Sequence, residues 1–445
     1  MNSIKYSIVT FGCRVNQADS LQVEEQLLAA GAVPSATDRA DVVVVNTCSV
    51  TATADQGARQ TIRRIARQNP AAQIVVTGCY ATRDPGQLAN LPGVVSVISN
   101  QKKERVVPAV LWHARGRIAM EEWAIQVTTA ERFDGGEGAC GSRIEPGLAG
   151  RTAFTLRIQT GCDEPCAYCI IPTTRGSGRS RSVDEVVTEV KRVVRAGFKE
   201  IALTGVHLGS YGRDLTGPEP LDLTALLRRL DAEGDDVRYR ISSLEPMDCT
   251  PAIVDLVTTS GRFAAHFHLP LQHASDVVLQ SMRRPYTLDG YRRLVDAIRE
   301  RMPHSTIGSD IIVGFPGETD LDAELLVRYL EESPLTYLHV FPYSDRPGTL
   351  ATTLPDKVSG VVVRERAERV RLVGSRLASR FKQSQVGTIH RALTIEDGSL
   401  TVTDNYLKVR IPTGKKKRNE WVDVKITGAG ETMTGEVVSA MRNEQ

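Results

Sequence analysis

Long apolar runs are missing from this chain. No stretch approaches the roughly 18 apolar residues of a membrane-spanning helix. The first residues, M-N-S-I-K-Y-S-I-V-T-F-G-C, lack the long apolar core of a secretory leader. Both absences predict a soluble, cytoplasmic protein with no membrane partner. Aromatic residues are scarce at 5%, yet apolar residues reach 41%, enough to fill ordinary cores. An excess of one charge is missing too: 55 Lys and Arg face 53 Asp and Glu, a formal +2. Affinity for nucleic acid would therefore rest on local patches, not on the whole molecule. Eight cysteines in 445 residues are too few for a disulfide scaffold and read better as metal or redox ligands. A chain of this length is expected to form about two to four domains.

Three of those cysteines are concentrated. Cys162, Cys166 and Cys169 fall within T-G-C-D-E-P-C-A-Y-C-I-I-P, a C-x3-C-x2-C spacing with Tyr168 before the last thiol. Thiolates this close in sequence can converge on one soft metal centre. The run offers no fourth cysteine and no histidine. A closed zinc site or an ordinary iron–sulfur cluster takes four protein ligands, so three predict a metal with one position open.

The hydrophobic pattern predicts an α/β architecture. Residues 2–116 alternate strands (Lys5–Thr10, Asp41–Asn46, Gln73–Thr77) with helical segments, as in an open parallel sheet. A weak stretch, 117–147, reads as a linker around D-G-G-E-G-A-C-G-S. Residues 148–380 hold a second series, with strands at Phe154–Gln159, Glu200–Thr204, Val237–Ser242, Phe267–Leu271, Thr306–Val313 and Tyr337–Phe341. Six β/α units predict a partial barrel, whose chemistry gathers at the strands' C-terminal ends. The Cys162 triplet follows the first of them. Between strands, Val183–Ala196 carries valines at helical spacing, a Ser182/Glu185 capping box and Gly197 at its end. A long charged helix is expected from Val358 to about Ser384. Residues 384–445 then change to short alternating strands, as in a small OB-like β-barrel.

A second cysteine set is dispersed. Cys13 follows the first predicted strand, Cys48 the second and Cys79 the third. Loops after parallel strands share one sheet edge, so these three can meet. Cys140 and Cys249 have no such pattern and read as ordinary residues.

Two cysteine triplets followed by a β-barrel resemble the radical S-adenosylmethionine (SAM) methylthiotransferases, which have an N-terminal methylthiotransferase domain, a radical SAM core and a TRAM domain. F-G-C-R-V-N from Phe11, L-T-G-V-H-L-G-S-Y-G from Leu203, R-I-S-S-L-E-P from Arg240 and H-V-F-P-Y-S from His339 resemble the MtaB branch. That branch modifies tRNA carrying N6-threonylcarbamoyladenosine. L-Q-H-A-S at Leu271–Ser275 departs from the family's usual Q-S-G-S. The resemblance implies a [4Fe–4S] cluster on each triplet, with SAM as radical source and methyl donor. It carries SAM contacts onto Thr204, Gly205, Ser243, Glu245, Asp310 and Gly314, the last within G-F-P-G-E. It implies no side-chain acid or base beyond the cluster ligands. The implied partners are a tRNA anticodon stem-loop, an electron donor such as flavodoxin or ferredoxin, and a sulfur donor; a monomer is expected. Methylthiolation of isopentenyladenosine or of a ribosomal protein side chain stays open, as does a non-catalytic iron–sulfur protein that binds RNA.

Candidate phosphate contacts are basic. Arg59, Arg63 and Arg67 recur at steps of four with no acid between them, and Arg175 and Arg179 follow the cysteine loop. Lys415, Lys416, Lys417 and Arg418 form a basic turn in the terminal segment. Replacing that turn by four serines should weaken tRNA binding and flatten its salt dependence. An unchanged slope across a salt series would make it an ordinary solvated loop.

Overall fold

The computed structural model describes residues 3–115, 144–147, 151–216, 221–412 and 417–438. The expected linker lies outside the described residues except for 144–147, and Cys140 lies outside with it.

The N-terminal unit is a five-stranded parallel sheet. Its strands are β1 (Lys5–Thr10), β2 (Val33–Pro34), β3 (Val42–Thr47), β4 (Gln73–Gly78) and β5 (Val94–Ile98), in the order β2-β1-β3-β4-β5. The V-V-V-V run makes β3 the centre, buried along its whole length. Alternation decides its two faces. Val42 and Val44 pack beneath helices Arg14–Ala29 and Val106–Arg115, whereas Val43 and Val45 pack beneath helix Ala52–Gln68. The sequence reading missed β2 and β5. One has two residues including Pro34; the other is an edge strand whose register slips at Ile74/Val75.

The second unit is an open half-barrel. Its parallel strands are β6 (Phe154–Arg157), β9 (Glu200–Thr204), β10 (Arg238–Ile241), β11 (His266–His268), β12 (Thr306–Val313) and β13 (Tyr337–Pro342). Bridges Tyr239–Phe263 and Ser243–His268 join the two three-stranded halves. All six lie where the hydrophobic pattern predicts them. Between β6 and β9 a small antiparallel ribbon, β7 (Gln159–Thr160) and β8 (Arg179–Ser180), flanks the cysteine loop. Helix Val183–Arg195 begins with the expected capping box and buries Val186, Val187, Val190 and Val193. The long helix, Gly360–Ser384, packs against β13.

The terminal unit closes a barrel in the order β14-β15-β16-β18-β17, from β14 (Ile389–Ile395), β15 (Leu400–Thr403), β16 (Lys408–Arg410), β17 (Trp421–Ala429) and β18 (Met433–Val438). Closure leaves no free sheet edge. The stretch L-T-V-T-D-N-Y-L-K-V-R-I makes two strands, because the chain turns at Tyr406 with φ of 67°.

Buried charge ties the first two units together. Asp19, on helix Arg14–Ala29, is fully buried and pairs with Lys103, Arg157 and Arg175, the last at 3.0 Å. Burial alone would raise this carboxyl; the three cations overcome it and hold it well below the ordinary 3.8. A second buried acid, Asp55, pairs with Arg83 at 2.8 Å and with Arg346 from the loop after β13 at 2.5 Å. Asp19→Asn should cost about 3–5 kcal/mol, because it leaves buried cations without a counter-charge. The depressed carboxyl contributes stability that is full above the ordinary aspartate range and lost as pH falls through its folded value. Denaturant titrations near neutrality and down the acid limb should show both effects. A variant as stable as wild type would remove Asp19 from this role.

Candidate metal centres and the cleft between them

The three dispersed cysteines meet at one sheet edge. Cys13, Cys48 and Cys79 follow β1, β3 and β4, and the strand order reverses between β1 and β3. That reversal opens a crevice at the strands' C-terminal ends. Polar side chains lock the three loops together. Asn16 Nδ2 donates to Phe11 O at 2.7 Å and Thr47 O at 3.0 Å, and Asn46 Nδ2 donates to Asn16 O at 2.9 Å. Thr47 Oγ1 donates to Thr77 O at 2.6 Å. Two glycines make the approach possible. Gly12 has φ of +88°, and a Cβ there would sit 2.5 Å from Cys48 Cβ and 2.6 Å from its Sγ. Gly78 has φ of +100° and would collide with the Thr47 backbone. Cys48 and Cys79 are buried and Cys13 is exposed.

The Cys162 loop leaves β7 and returns through helix Ile171–Arg175 to β8. Buried Gln159 organises its base. Its Oε1 accepts from Val206 N at 2.9 Å and His207 N at 3.0 Å, and its Nε2 donates to Gly161 O at 2.9 Å. One amide thus joins the start of the loop to the segment after β9. On the other side, Arg284 Nη1 donates to Cys166 Sγ at 3.1 Å while its second terminal nitrogen pairs with Glu245.

Both thiol sets fit a metal cluster. Burial pushes Cys48 and Cys169 up to about 12 and Cys162 up to about 11, so thiolates there need a cationic centre. A single zinc ion would pull its sulfurs to within about 4 Å of one another, given Zn–S bonds near 2.3 Å. Among the described residues, only His268, Asp310 and His339 bring three ligand atoms within 4.8 Å. Neither cysteine set forms such a tight group among the described residues.

The two sets adjoin. Helix Cys79–Arg83 packs on helix Ile171–Arg175. Asn100 Nδ2 bridges them, 3.6 Å from Cys79 Sγ and 3.0 Å from Thr174 O. A cleft of about 180 Å³ opens beside this junction, lined by Val50 and Thr51 from the N-terminal unit and by Cys169, Gln272, Asp310 and Tyr343 from the half-barrel. Asp310 accepts from His268 Nε2 at 2.9 Å and His339 Nδ1 at 3.1 Å. Burial would raise it, but these two contacts bring it down to about 2.

The other expected SAM contacts sit as follows. Thr204 ends β9, and its carbonyl accepts from Ile158 N at 2.9 Å; Gly205 is the next residue. Ser243 is exposed beside His268 in the bridge between the half-barrel's two sheets. Glu245 reaches Cys166 only through Arg284. Glu318 Oε2 accepts from Gly314 N at 2.5 Å and from Phe315 N at 3.1 Å, so G-F-P-G-E braces itself with its own glutamate. The departing L-Q-H-A-S loop braces itself as well. Buried His273 accepts from Ser275 N at 3.0 Å, and burial lowers its pKa to about 4, favouring the neutral ring that can accept.

The basic candidates separate into two groups. Arg63 and Arg67 are exposed on helix Ala52–Gln68, whereas Arg59 turns inward to Tyr80 Oη at 2.6 Å and Gln87 Oε1 at 3.0 Å. Arg175 corrects the expectation of a phosphate contact. It is 3% exposed, and its guanidinium is held by Asp19 and by Asn16 Oδ1 at 2.5 Å. Arg179 is exposed. Lys415 and Lys416 lie outside the described residues; Lys417 and Arg418 lie just after them, with Arg418 Nε donating to Glu396 O at 2.8 Å. Cys249 is buried in the half-barrel core. Sequence reasoning missed Gln159, Asp19 and Arg284, which carry no motif of their own. No described helix is long and apolar enough to cross a membrane.

Known proteins resemble this chain over most of its length. The radical SAM superfamily matches residues 156–330, and the uncharacterized protein family UPF0004 matches residues 5–99. The threonylcarbamoyladenosine tRNA methylthiotransferase MtaB of Bacillus subtilis is 34% identical over 433 residues, covering 95% of this chain and 93% of its own. Its Aquifex aeolicus namesake is 34% identical over 417 residues, 92% of this chain and 96% of its own. The tRNA-2-methylthio-N(6)-dimethylallyladenosine synthase of Methylobacillus flagellatus is 32% identical over 444 residues, 97% of this chain and 98% of its own. Among solved structures, the radical S-adenosylmethionine methyltransferase TsrM of Kitasatospora setae aligns with a TM-score of 0.54 at 16% identity, over 79% of this chain and 77% of that one. That last likeness is one of fold alone.

Proposed function

The chain belongs to the radical SAM tRNA methylthiotransferases, and we propose that it adds a methylthio group to C2 of N6-threonylcarbamoyladenosine at position 37, beside the anticodon. The observation that carries this reading is the meeting of two cysteine triplets at one junction, Cys79 joined to the Cys162 loop through Asn100. A radical enzyme that also inserts sulfur needs two centres close together. The substrate follows the branch that MtaB and the F-G-C-R-V-N and R-I-S-S-L-E-P segments represent.

Cys162, Cys166 and Cys169 would hold one [4Fe–4S] cluster, and Cys13, Cys48 and Cys79 a second. When bound, the first supplies the electron that splits SAM reductively and the second supplies sulfur, chemistry that suits an adenine C2 with no acidic proton and no leaving group. The protein's own residues orient and shield. Arg284 fixes Cys166 and neutralises Glu245. Gln159 ties the cysteine loop to Val206 and His207, the residues just after Thr204 and Gly205, which couples the metal ligands to the expected SAM contacts. Asp310, kept ionised by His268 and His339, presents an acceptor to the cleft. The surplus of cations around Asp19 faces the N-terminal thiols, and Arg175 lies within electrostatic reach of Cys13 and Cys79. We read the closed terminal barrel as a TRAM domain that grips the tRNA, helped by exposed Arg63 and Arg67 and by the 415–418 turn. The reaction is assigned to the cytoplasm, with a flavodoxin- or ferredoxin-like electron donor and a separate sulfur donor.

Anaerobic reconstitution should approach about eight irons per chain, and the Cys162/Cys166/Cys169→Ala triple variant should keep about half. Cys48→Ala should still cleave SAM yet form no methylthiolated product. A full load of four irons, or full product from Cys48→Ala, would remove the second centre from the reaction.

The substrate assignment has its own test. Offered tRNA with threonylcarbamoyladenosine and tRNA with isopentenyladenosine, the enzyme should methylthiolate the first, as nucleoside mass spectrometry will show. Preference for the second would move the chain to the neighbouring branch.

A further inference from the structure

A line of side chains continues inward from the cleft. His268 connects Asp310 to Tyr337, with Nδ1 2.8 Å from the phenol oxygen, and that oxygen lies 3.1 Å from His266 Nε2. The His266 ring meets Tyr406 edge-on, centroids 5.0 Å apart. Tyr406 comes from the terminal barrel and enters the half-barrel on a left-handed backbone, φ 67°. Its ring lies 4.2 Å from the Arg240 guanidinium, and its hydroxyl accepts from Arg14 Nη2 at 3.2 Å. Arg14 is the residue after Cys13. All three units of the protein meet here.

The charges at this meeting point do not balance. Glu200 is held by Arg238 at 2.6 and 3.1 Å. Arg240 shares the same Glu200 through a longer ion pair, Nε at 3.6 Å, and its Nε and Nη1 are buried with no hydrogen-bond partner among the described residues. Asp310 is occupied by two histidines. Arg14, half-buried, pairs with no carboxylate among the described residues and donates to one neutral hydroxyl. The other arginines near the cysteines are committed: Arg157 and Arg175 to Asp19, Arg284 to Glu245, Arg346 to Asp55. Arg14 has no acid among the described residues and Arg240 has only a share in Glu200, so the two guanidinia form an anion site awaiting its anion.

We infer that Arg14 receives the threonine carboxylate of the modified adenosine, with Arg240 beneath the Tyr406 ring fixing that ring and adding positive field. The inference rests on the threonylcarbamoyl reading above. It also supplies a reason for selectivity. An isopentenyl group brings no charge and would leave Arg14 uncompensated, so the site favours one substrate and disfavours the other. Arg14 follows a proposed sulfur-cluster ligand directly, which ties recognition of the substituent to the place where sulfur would be delivered.

The test uses the reconstituted full-length enzyme and three anticodon stem-loop RNAs. One carries threonylcarbamoyladenosine, one its threoninamide analogue with the carboxylate neutralised, and one isopentenyladenosine. Wild type should bind the acid about 10- to 100-fold more tightly than the amide, the range expected when a charged hydrogen-bonded pair is lost. Arg14→Gln, with iron content measured to confirm loading, should bind acid and amide alike, and Arg14→Lys should restore part of the difference. Tyr406→Phe, remote in sequence from every cysteine, should narrow the ratio because Arg14 loses its hydrogen-bonded anchor. If Arg14→Gln does not load, an unchanged ratio in Tyr406→Phe overturns the inference. An Arg14→Gln enzyme that discriminates as wild type does also overturns it, and so does a wild type that methylthiolates the acid without discriminating. Methylthiolation of the isopentenyl RNA in preference to the acid would instead sink the substrate assignment, and this inference with it.

Discussion

One buried carboxylate holds the reaction centre together. Asp19 leaves water entirely and takes Lys103, Arg157 and Arg175 as partners. Such a group is costly alone and binding when matched, because low surrounding polarity strengthens every contact it makes. Lys103 lies in the segment Asn100–Arg105 after β5, within the N-terminal unit; Arg157 ends β6; Arg175 closes the cysteine loop. The helix that carries Asp19 begins right after Cys13. Fixing this side chain therefore fixes the distance between two thiol sets that belong to different sheets. Asp55 repeats the device on the far side, with Arg346 reaching across from the loop after β13.

Three cations on one acid leave positive charge over. Burial and the neighbouring guanidinia pull Lys103 down even as Asp19 pulls it up, a sign that the cluster has more cation than it needs. That surplus faces thiols which must be anionic to bind metal. Around Arg14 the imbalance recurs, because the nearby Glu200 is already shared by Arg238 and Arg240. The same principle thus serves two ends: compensation of a proposed negative cluster at one point, and recognition of a negative substrate at the other.

The fold was legible wherever its cause lies among neighbouring residues. The six half-barrel strands, the Ser182 capping box and the valine stripe of helix Val183–Arg195 follow from alternation, helical spacing and a local hydrogen bond. The convergence of Cys13, Cys48 and Cys79 was legible as well, because parallel strands send their following loops to one edge. Strands β2 and β5 were not: two residues with a proline, and an edge strand with a slipped register, carry too little pattern. The split of the terminal segment at Tyr406 was hidden because a non-glycine residue in a left-handed turn leaves no compositional mark.

Charge pairing was the part that spacing alone misread. Arg175 has the look of a phosphate contact from its place after the cysteine loop, yet it is a buried brace. Arg14 drew attention only as one letter of a motif, yet it sits at the meeting of the three units with no acid among the described residues. Arg157 and Asp19 stand 138 residues apart, and Arg14 and Tyr406 stand 392 apart. The sequence by itself determined which donors exist and which strands and helices carry them, since those depend on periodicity and local bonding. Only the tertiary structure decided which cation meets which anion, since a Coulombic pair forms by proximity in space, which the folding of distant segments sets.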